Sequence, residues 1–514
     1  MEGILMKRVS IESVLHTNLI NLINNYGKWA IYGTGDGAEM VWAALEELEL
    51  CERVYYVVDK DTSKGNSRFH DFIVSKFENI IDEINVVIIG AAVNHRKICL
   101  RIISALNSSS ISGVTVIDPF VRQSSLEEKA QYVDFINRFQ ESDSFVYISN
   151  NYYKGTDEDT KVITWYLPQF HHIEINDEYY GRGFTEWTNT SRTFPQFVGH
   201  YQPHIPYDVG YYDLMNQDVL KRQIELAKMY GIYGFGFFYY WFSGKKIMEK
   251  PIQLLLANKD LDIPFCLHWA TDHWSTSWYG EDMGIIIEQK IPDPQQFWKD
   301  IYPYFIDERY IKIGGKPVFI IYKCKTFEII AFKMFIDSLR SIAKENGFPD
   351  LYVMISTGDG NFTDAQKWGG DALVEYQPWR IYKSKSVKGY LPDGYINPEF
   401  IGQVIDIGSA IRNRDYMCDY SEKKYFRSAM TSWDNTARKC RNGAIVMEGN
   451  SPQLMKQWLL DIIMESKRIH SQEENYVFLS SWNEWAEGSH LEPDYKYGYA
   501  WLDAVRSALE MSRM

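Results

Sequence analysis

Short apolar runs alternate with longer segments of helical periodicity through most of the chain. After residue 160 there are eight such runs of five or six residues, short enough to be buried strands. They lie at 162–166, 233–238, 264–268, 317–322, 351–355, 372–376, 426–431 and 476–480. Segments with helical periodicity fall between most of them, at 215–230, 252–261, 294–305, 327–346, 398–412 and 452–470. Eight strands alternating with helices over about 350 residues predict an α/β fold of the (β/α)8, or TIM barrel, type at 161–514.

The first 141 residues repeat this alternation on a smaller scale. Strand-like runs lie at 29–32, 54–58, 86–89 and 114–117. Strands that alternate with helices form parallel sheets with right-handed crossovers. We therefore predict a small Rossmann-like domain with a doubly wound parallel sheet at 1–141. A polar, turn-rich segment at 142–160, preceded by a helix within 126–139, is expected to link it to the barrel.

The turn after the first of these runs fits a dinucleotide-binding pattern. It reads Gly-Thr-Gly-Asp-Gly-Ala from Gly33, and Asp59 ends the next strand-like run. In such domains the turn places a phosphate at a helix N-terminus, and the acid binds ribose hydroxyls. Gly33, Gly35 and Asp59 are thus candidate cofactor-binding residues for a nucleotide or nucleotide sugar. Alternatively, the glycines only permit close packing of a strand against a helix.

The segment after the last strand-like run carries two carboxylates between tryptophans. If the backbone makes one helical turn there, Glu484 and Glu487 face the same way, with Cβ atoms about 5–6 Å apart. That spacing suits two catalytic carboxyl groups acting on one sugar carbon. Neighbouring rings offer flat surfaces to a sugar and lower the local dielectric, which raises one carboxyl pKa. The alternative is a loop of solvated acids, but Trp482 and Trp485 would be costly to expose.

Polar and aromatic residues also follow the other strand-like runs, where a barrel holds its active site. The candidate substrate-binding residues are His171, Glu186, Trp187, Tyr240, Trp241, Trp269, Asp272, Tyr322, Trp433, Asp434, Asn483 and Trp485. His171 could instead cap or pack, and Asp434 could instead anchor its loop. No third ligand at helical spacing accompanies Asp272 and His273, so no metal site is predicted.

Two basic clusters follow the sixth and seventh runs. They are Arg380, Lys383 and Lys385, and Arg438, Lys439 and Arg441. One interpretation is a solvated face. The other is recognition of an acidic sugar or a diphosphate.

Bulk properties narrow the class of protein. A net charge of −14 argues against nucleic acid or an anionic membrane surface as the main partner. Six cysteines without a C-x-x-C pair are typical of reduced thiols. The first residues lack the apolar segment of a secretory signal, and the most apolar stretch, 231–244, is too short to span a bilayer. We expect a cytoplasmic protein with no integral membrane segment.

Four motifs resemble the glycosyltransferase WbsX family, which is related to the endo-α-mannosidase-like barrels of glycoside hydrolase family 99. They are WYLPQFH at 165–171, GFTEW at 183–187, WDNT at 433–436 and SWNEWAEG at 481–488. The resemblance extends over about 160–510 and includes LEPD at 491–494 and YGY at 497–499.

The resemblance implies roles for the two acids. Glu484 would act as a base on the sugar 2-hydroxyl, giving a retaining route through a 1,2-anhydro sugar, and Glu487 would act as general acid and then base. Spacing alone would make the first acid a direct nucleophile. The segment 269–274, WATDHW, departs from the family, whose members usually have an Asn-Glu-Asn-like stretch before the last Trp.

These expectations together describe a carbohydrate-active enzyme that acts on glycosidic bonds of a mannoside-type oligosaccharide or polysaccharide. Without a secretory signal, a place in bacterial surface polysaccharide (O-antigen or capsule) biosynthesis is favoured, and the barrel chemistry requires no cofactor. One alternative is a nucleotide-sugar-dependent glycosyltransferase. Another is a non-catalytic glycan-binding protein, which would be indifferent to loss of either glutamate.

Overall fold

The computed structural model describes residues 11–25, 27–60, 68–92, 95–108, 111, 113–121, 142–275, 284–358, 364–392, 394–417, 424–439 and 443–514. The helix predicted within 126–139 and the basic residue Arg441 lie outside these ranges. Among the described residues, every helix is too short or too polar to cross a membrane.

The N-terminal part contains a six-stranded sheet with apolar residues buried on both faces. Its strands are β1 (Trp29–Tyr32), β2 (Val54–Val58), β3 (Arg68–Phe69), β4 (Phe72–Ser75), β5 (Val86–Ile89) and β6 (Thr115–Ile117), in the order β3-β4-β2-β1-β5-β6. All neighbours are parallel except β3 and β4. Helices α1 (Ile11–Ile20), α2 (Asp36–Glu47) and α3 (His95–Ser108) accompany the sheet. Along β1, Trp29 and Ile31 join one apolar cluster, and Ala30 and Tyr32 join another. A Rossmann-like assignment for this part stays a prediction.

The rest of the chain forms a nearly closed parallel barrel. Its strands are β7 (Lys161–Tyr166), β8 (Ile232–Phe242), β9 (Phe265–Ala270), β10 (Lys316–Ile321), β11 (Tyr352–Ser356), β12 (Ala372–Val374), β13 (Tyr425–Phe426), β14 (Ser428–Met430) and β15 (Tyr476–Ser480). The order is β13-β12-β11-β10-β9-β8-β7-β15-β14. Strands β13 and β14 are two halves of one run, separated only by Arg427. The predicted TIM barrel is therefore confirmed, and each predicted run overlaps at least one of its strands.

Helices lie between the barrel strands. They are α4 (Glu174–Tyr180), α5 (Glu186–Arg192), α6 (Gln217–Met229), α7 (Lys250–Ala257), α8 (Pro294–Phe305), α9 (Ile329–Glu345), α10 (Trp379–Tyr382), α11 (Gly408–Arg412), α12 (Thr436–Lys439), α13 (Pro452–Ile469) and α14 (Ala500–Met511). The N-termini of two of these helices combine a capping side chain with a proline. Asp293 accepts from Gln296 N at 2.8 Å before α8, and Ser451 accepts from Leu454 N at 3.2 Å before α13. Each cap precedes a proline, which suits the first turn of a helix.

The helix predicted at 398–412 is wrong over its first half. Gln403–Asp406 is a strand that pairs in parallel with Ile445–Glu448, and only α11 is helical. A short apolar run cannot be assigned to strand or helix by periodicity alone, and here the partner strand lies 42 residues further along the chain. Lys388–Gly389 and Trp433–Asp434 complete this four-stranded sheet.

The remaining strands are two or three residues long and lie outside the main strand order of the barrel. They are Lys245–Ile247, paired with β8; Lys312–Ile313, paired with β10; Trp274–Ser275 with Ile285–Ile287; and Asn483–Glu484 with Ser489–His490.

The barrel interior is filled by aromatic side chains. The Trp165 ring stacks on Phe478 with centroids 4.8 Å apart. A Cβ at Gly236, on the adjacent strand, would lie 2.8 Å from the Trp165 ring, so glycine leaves the space that the indole occupies. The predicted linker 142–160 runs along the barrel, where Val146 N donates to Tyr497 O at 3.1 Å.

Candidate active site

The two glutamates lie on a tight turn at the carboxyl end of β15. A 3-10 turn spans Trp485–Glu487, and the two-residue ladder on either side holds its ends together. Side chains three apart are eclipsed in such a turn, so Glu484 and Glu487 project together. Gly488 ends the turn at φ +62°, where a Cβ would lie 3.2 Å from Asp434 Cβ. Both the backbone conformation and the close approach require glycine at 488.

One arginine contacts three carboxylates at this place. Arg438 Nη2 lies 2.7 Å from Glu484 Oε1 and 2.8 Å from Glu186 Oε2, and Nη1 lies 2.8 Å from Glu487 Oε1. Gln169 Nε2 also donates to Glu484 Oε1, at 2.7 Å. The side chain of Glu487 is 19% exposed, whereas that of Glu186 is fully buried. The structure thus brings together three of the predicted site residues around one guanidinium, with Glu487 the most accessible.

Burial raises the pKa of two of these carboxyl groups. Burial raises the pKa of Glu484 to about 8; the charge of Arg438 lowers it, and those of Glu487 and Glu186 raise it. Burial likewise raises the pKa of Glu186 against the lowering effect of Arg438. Although burial lowers the pKa of Arg438, the three acids raise it well above its ordinary value, so it stays charged. At neutral pH we therefore expect Glu484 to be protonated.

Phenol groups face the same carboxylates. Burial and the charges of Glu484 and Glu487 raise the pKa of Tyr240 and Tyr376, so both hydroxyls remain donors. The Tyr322 ring packs edge-on against Tyr376, with centroids 4.9 Å apart. Neutral phenols beside acids are suited to binding sugar hydroxyls. Tyr240 and Tyr322 were predicted from the sequence.

A buried carboxylate behind the turn accepts four hydrogen bonds. Glu492 Oε1 accepts from Gln223 Nε2 at 2.6 Å and from Trp482 Nε1 at 3.1 Å. Its Oε2 accepts from Trp485 Nε1 at 2.6 Å and from the Tyr212 hydroxyl at 2.9 Å. Because Trp482 and Trp485 flank Glu484, Glu492 holds the turn in place from its buried side.

Asp434 anchors the helix that carries the arginine. Its Oδ1 accepts from Thr436 N at 2.9 Å at the start of α12. Its Oδ2 is close to His200 Nε2, at 2.7 Å, and accepts from Gln202 Nε2 at 2.6 Å. Burial alone would raise the pKa of Asp434, but His200 and the hydrogen bonds lower it to about 2. These contacts agree with the second interpretation of Asp434, in which it anchors its loop. They also hold the start of the helix that carries Arg438.

Asn483, Trp187 and Trp485 support the turn from its buried side. Asn483 accepts from Leu167 N at 2.8 Å and donates to Leu167 O at 2.9 Å, which ties the turn to the end of β7. The rings of Trp187 and Trp485 are tilted with centroids 5.7 Å apart, and both are buried. The side chains of Asn483, Trp187 and Trp485 therefore contact other residues of the protein and support the turn.

Three predicted residues lie away from the carboxylates. Trp241 donates to Asp300 Oδ2 at 2.8 Å, and Trp269 packs among phenylalanines of α8 and α9. Both therefore face the helical layer and not the barrel axis. Asp272 is exposed and forms an ion pair with Lys323 at 2.7 Å.

Two further predicted residues are buried near the mouth. Burial lowers the pKa of His171 to about 4, so its ring is neutral. The Trp433 ring lies edge-on to Trp379 with centroids 5.7 Å apart.

Two buried histidines and an acid lie close together beside the turn. His490 Nδ1 is 2.9 Å from Glu492 O, so it donates there, and His490 Nε2 is 2.8 Å from His204 Nδ1. Asp494 Oδ2 lies 3.7 Å from His490 Nε2. Two nitrogens bound to one tetrahedral zinc are about 3.3 Å apart. The 2.8 Å between His204 Nδ1 and His490 Nε2 is shorter than this and corresponds to a direct hydrogen bond between the two rings.

Sequence reasoning missed Arg438, Gln169 and Glu492 as site residues. Arg438 was placed in a basic cluster, interpreted either as a solvated face or as recognition of an acidic sugar or a diphosphate. Its side chain is only 9% exposed and contacts acids of the protein, while Lys439 is partly exposed. The available signal was its position four residues after Asp434, two residues beyond the WDNT motif. Gln169 and Glu492 lie inside quoted motifs, but nothing local shows that their partners lie on the turn from Glu484 to Glu487.

The nucleotide-like turn of the N-terminal part is only partly explained by packing. Gly33 has φ +122°, and a Cβ there would lie 2.9 Å from Gly90 O. A Cβ at Gly35 would meet nothing within 4 Å at the start of α2. Thr34 Oγ1 donates to Asp59 Oδ2 at 2.7 Å. Close packing accounts for Gly33 but not for Gly35.

Comparison with known proteins places most of the barrel in one sequence family. The family described as Glycosyltransferase WbsX matches residues 162–505. Two relatives, both named "Uncharacterized protein WxcX" and from two strains of Xanthomonas campestris pv. campestris, are 35% identical over 353 residues. The match covers 68% of this chain and 49% of each relative, so the chain spans about half the length of these relatives.

Solved structures that align with much of this chain were also found. The GH99 endo-alpha-mannosidase from Bacteroides thetaiotaomicron, in complex with BIS-TRIS-propane, aligns over 70% of this chain and 98% of its own, with 14% identity and a TM-score of 0.45. The same enzyme without that compound gives 13% identity and a TM-score of 0.43, over 70% and 98%. A structure titled "Glycoside hydrolase-like protein" gives 14% identity and 0.44, over 71% and 98%.

Proposed function

Because the chain belongs to the glycosyltransferase WbsX family, we propose that its barrel is a carbohydrate-active enzyme that cleaves or re-forms glycosidic bonds at Glu484 and Glu487. The observation that carries this proposal is the contact of both carboxylates with one buried guanidinium at the carboxyl end of β15. Barrel enzymes place their reacting groups at that end of the strands. A pair of carboxyl groups in differing environments is what glycoside chemistry needs.

The proposed reaction is retaining and acts on a mannoside-type glycan. Glu484 removes the proton of the 2-hydroxyl, O2 attacks C1, and the leaving oxygen departs with the proton of Glu487. Glu487 then takes a proton from water or an acceptor hydroxyl as that oxygen attacks C1, and O2 recovers its proton from Glu484. Water gives hydrolysis, and a sugar acceptor gives transfer.

These roles require the proton to change place when substrate binds. The raised pKa of Glu484 keeps its proton in place at neutral pH, whereas the proposed reaction needs Glu484 as the base and Glu487 as the acid. Both carboxyl groups contact Arg438. A bound sugar hydroxyl that displaces one of these contacts would therefore change which carboxyl group holds the proton.

Aryl α-mannosides test both the pair and its roles. A good leaving group needs no acid, so we expect Glu487→Gln to keep much of its rate on such substrates while losing cleavage of α-mannosyl oligosaccharides. We expect Glu484→Gln to lose both. If Glu484→Gln instead of Glu487→Gln keeps its activity on aryl α-mannosides, Glu484 is the acid and Glu487 the base. Glu308→Gln, at an exposed acid, is the matched control.

A nucleotide-sugar-dependent transferase is the second candidate, favoured by the open start of α2 beside Thr34 and Asp59. We propose that the N-terminal part binds a nucleotide or nucleotide sugar there, and that the protein works in the cytoplasm in surface polysaccharide synthesis. Equilibrium dialysis with uridine and guanosine diphosphate sugars, comparing wild type with Asp59→Ala, tests the site. Consumption of a nucleotide sugar by Glu487→Gln at the wild-type rate would contradict chemistry at the carboxylate pair.

A further inference from the structure

Arg438 is the only cation of the described residues that contacts the proposed catalytic pair directly. It forms a bond to Glu484 and another to Glu487 through different terminal nitrogens, while Nε lies 3.0 Å from Glu186. The start of the short helix that carries Arg438 is held independently of these acids, because Thr436 N donates to Asp434. The guanidinium itself is held by the three carboxylates.

The charges of this cluster do not balance. Three ionised carboxylates and one guanidinium would leave two net negative charges in a site where Glu186 and Glu484 are buried. Like charges at such distances in a poorly solvated place cannot all remain ionised, so the cluster keeps a proton. With the arginine absent, mutual repulsion would favour a second proton.

A glycosidic reaction of the proposed type needs one proton on the pair. With two protons the base is lost, and with none the acid is lost. We propose that Arg438 is a positioning residue that holds the catalytic pair at one proton, with Glu186 as the opposing charge that prevents its loss. The inference rests on the proposed function, because it assigns a purpose to the pair.

Other charged or titratable groups face Glu484 from every side of the site. Arg438 approaches from α12 and Glu186 from α5, while the neutral phenols of Tyr240 and Tyr376 approach from β8 and from the end of β12. Glu487 lies on the same turn as Glu484. Arg438 and Glu186 act on Glu484 with opposite signs, and the charge of Glu487 acts in the same direction as that of Glu186.

Infrared difference spectroscopy of the free protein tests this inference without substrate. The carboxylic C=O stretching band, assigned by its absence in Glu484→Gln, is followed from about pH 5 to 10. We expect Arg438→Met to raise the midpoint of this band by about one pH unit or more, and Glu186→Gln to lower it. Arg438→Lys keeps the charge without the planar fork, so its midpoint should stay near that of wild type while its kcat on glycans falls.

Opposite shifts in the two variants support the inference. An unchanged midpoint in Arg438→Met, or a rise in Glu186→Gln, overturns it. If Arg438→Met does not fold, the sign of the Glu186→Gln shift decides. Because the band is read in the free protein, absence of glycan turnover would refute the proposed function alone.

Discussion

The indole nitrogen of Trp485 donates to Oε2 of Glu492 across 2.6 Å, entirely inside the protein. Three further donors share this carboxylate, so it must be ionised to accept all four. Burial raises the pKa of Glu492 to about 7, although these four donors lower it. Glu492 therefore stabilises the turn from Glu484 to Glu487 at some electrostatic cost.

Glu492→Gln should loosen the turn. Its amide NH2 would face a donor with no acceptor, so we expect about 2–4 kcal/mol lower stability and a lower kcat. Thermal unfolding and glycan turnover check this. Trp485→Phe, which removes one donor and leaves the carboxylate, should lose less stability. Wild-type kcat in Glu492→Gln would show that the contact is only packing.

Glu484→Gln should be more stable than wild type at alkaline pH. The pKa of Glu484 is raised from 4.5 to about 8 in the folded protein, which therefore binds more protons than the unfolded chain between these values. Its stabilising contribution is present below pH 4.5 and is lost as pH rises to about 8. We expect an advantage of about 2–4 kcal/mol at pH 8 that vanishes near pH 4.5.

Denaturant unfolding at several pH values measures that advantage. Glu308→Gln, at an exposed position, should show no such trend. A Glu484→Gln difference that does not vary with pH would contradict the assignment of the proton to this residue.

Asp434→Asn should lose stability in the opposite pH range. Since the pKa of Asp434 is lowered from 3.8 to about 2, its contribution is present above pH 3.8 and is lost as pH falls towards 2. We expect a loss of about 2–3 kcal/mol at pH 7. Unfolding at pH 7 and near pH 2 tests this, with the exposed Asp272→Asn as control. Equal losses at both pH values would argue for a packing effect only.

Gly488→Ala should damage the turn in two ways. The residue has φ +62°, and its new Cβ would lie 3.2 Å from Asp434 Cβ. Gly183→Ala is the matched control, because Gly183 has φ +80° but open space around it. Both should lose about 1–2 kcal/mol from the backbone, and only Gly488→Ala should lose activity. Full activity in Gly488→Ala would show that the turn tolerates displacement.

Sequence patterns predicted the barrel because its strands are buried on both faces and read as continuous apolar runs. The strand at 403–406 was predicted as part of a helix, because its pairing partner is a distant segment outside the barrel. Glu484, Glu487 and Glu186 were predicted as site residues because tryptophans and acids follow strand ends, and the structure brings the three together around Arg438. Arg438 was not recognised as part of the site, because its partners Glu484 and Glu186 lie 46 and 252 positions away. Residue spacing carries no information about such contacts.

The central claim is that Glu484 and Glu487 act together on a glycosidic bond. The most direct measurement is cleavage of α-mannosyl oligosaccharides by wild type, Glu484→Gln and Glu487→Gln, with glycan binding followed by calorimetry. We predict turnover in wild type and a loss of at least about a hundredfold in each variant, with binding retained. Unchanged turnover in either variant would contradict the claim, as would glycan binding by all three proteins without any cleavage or transfer.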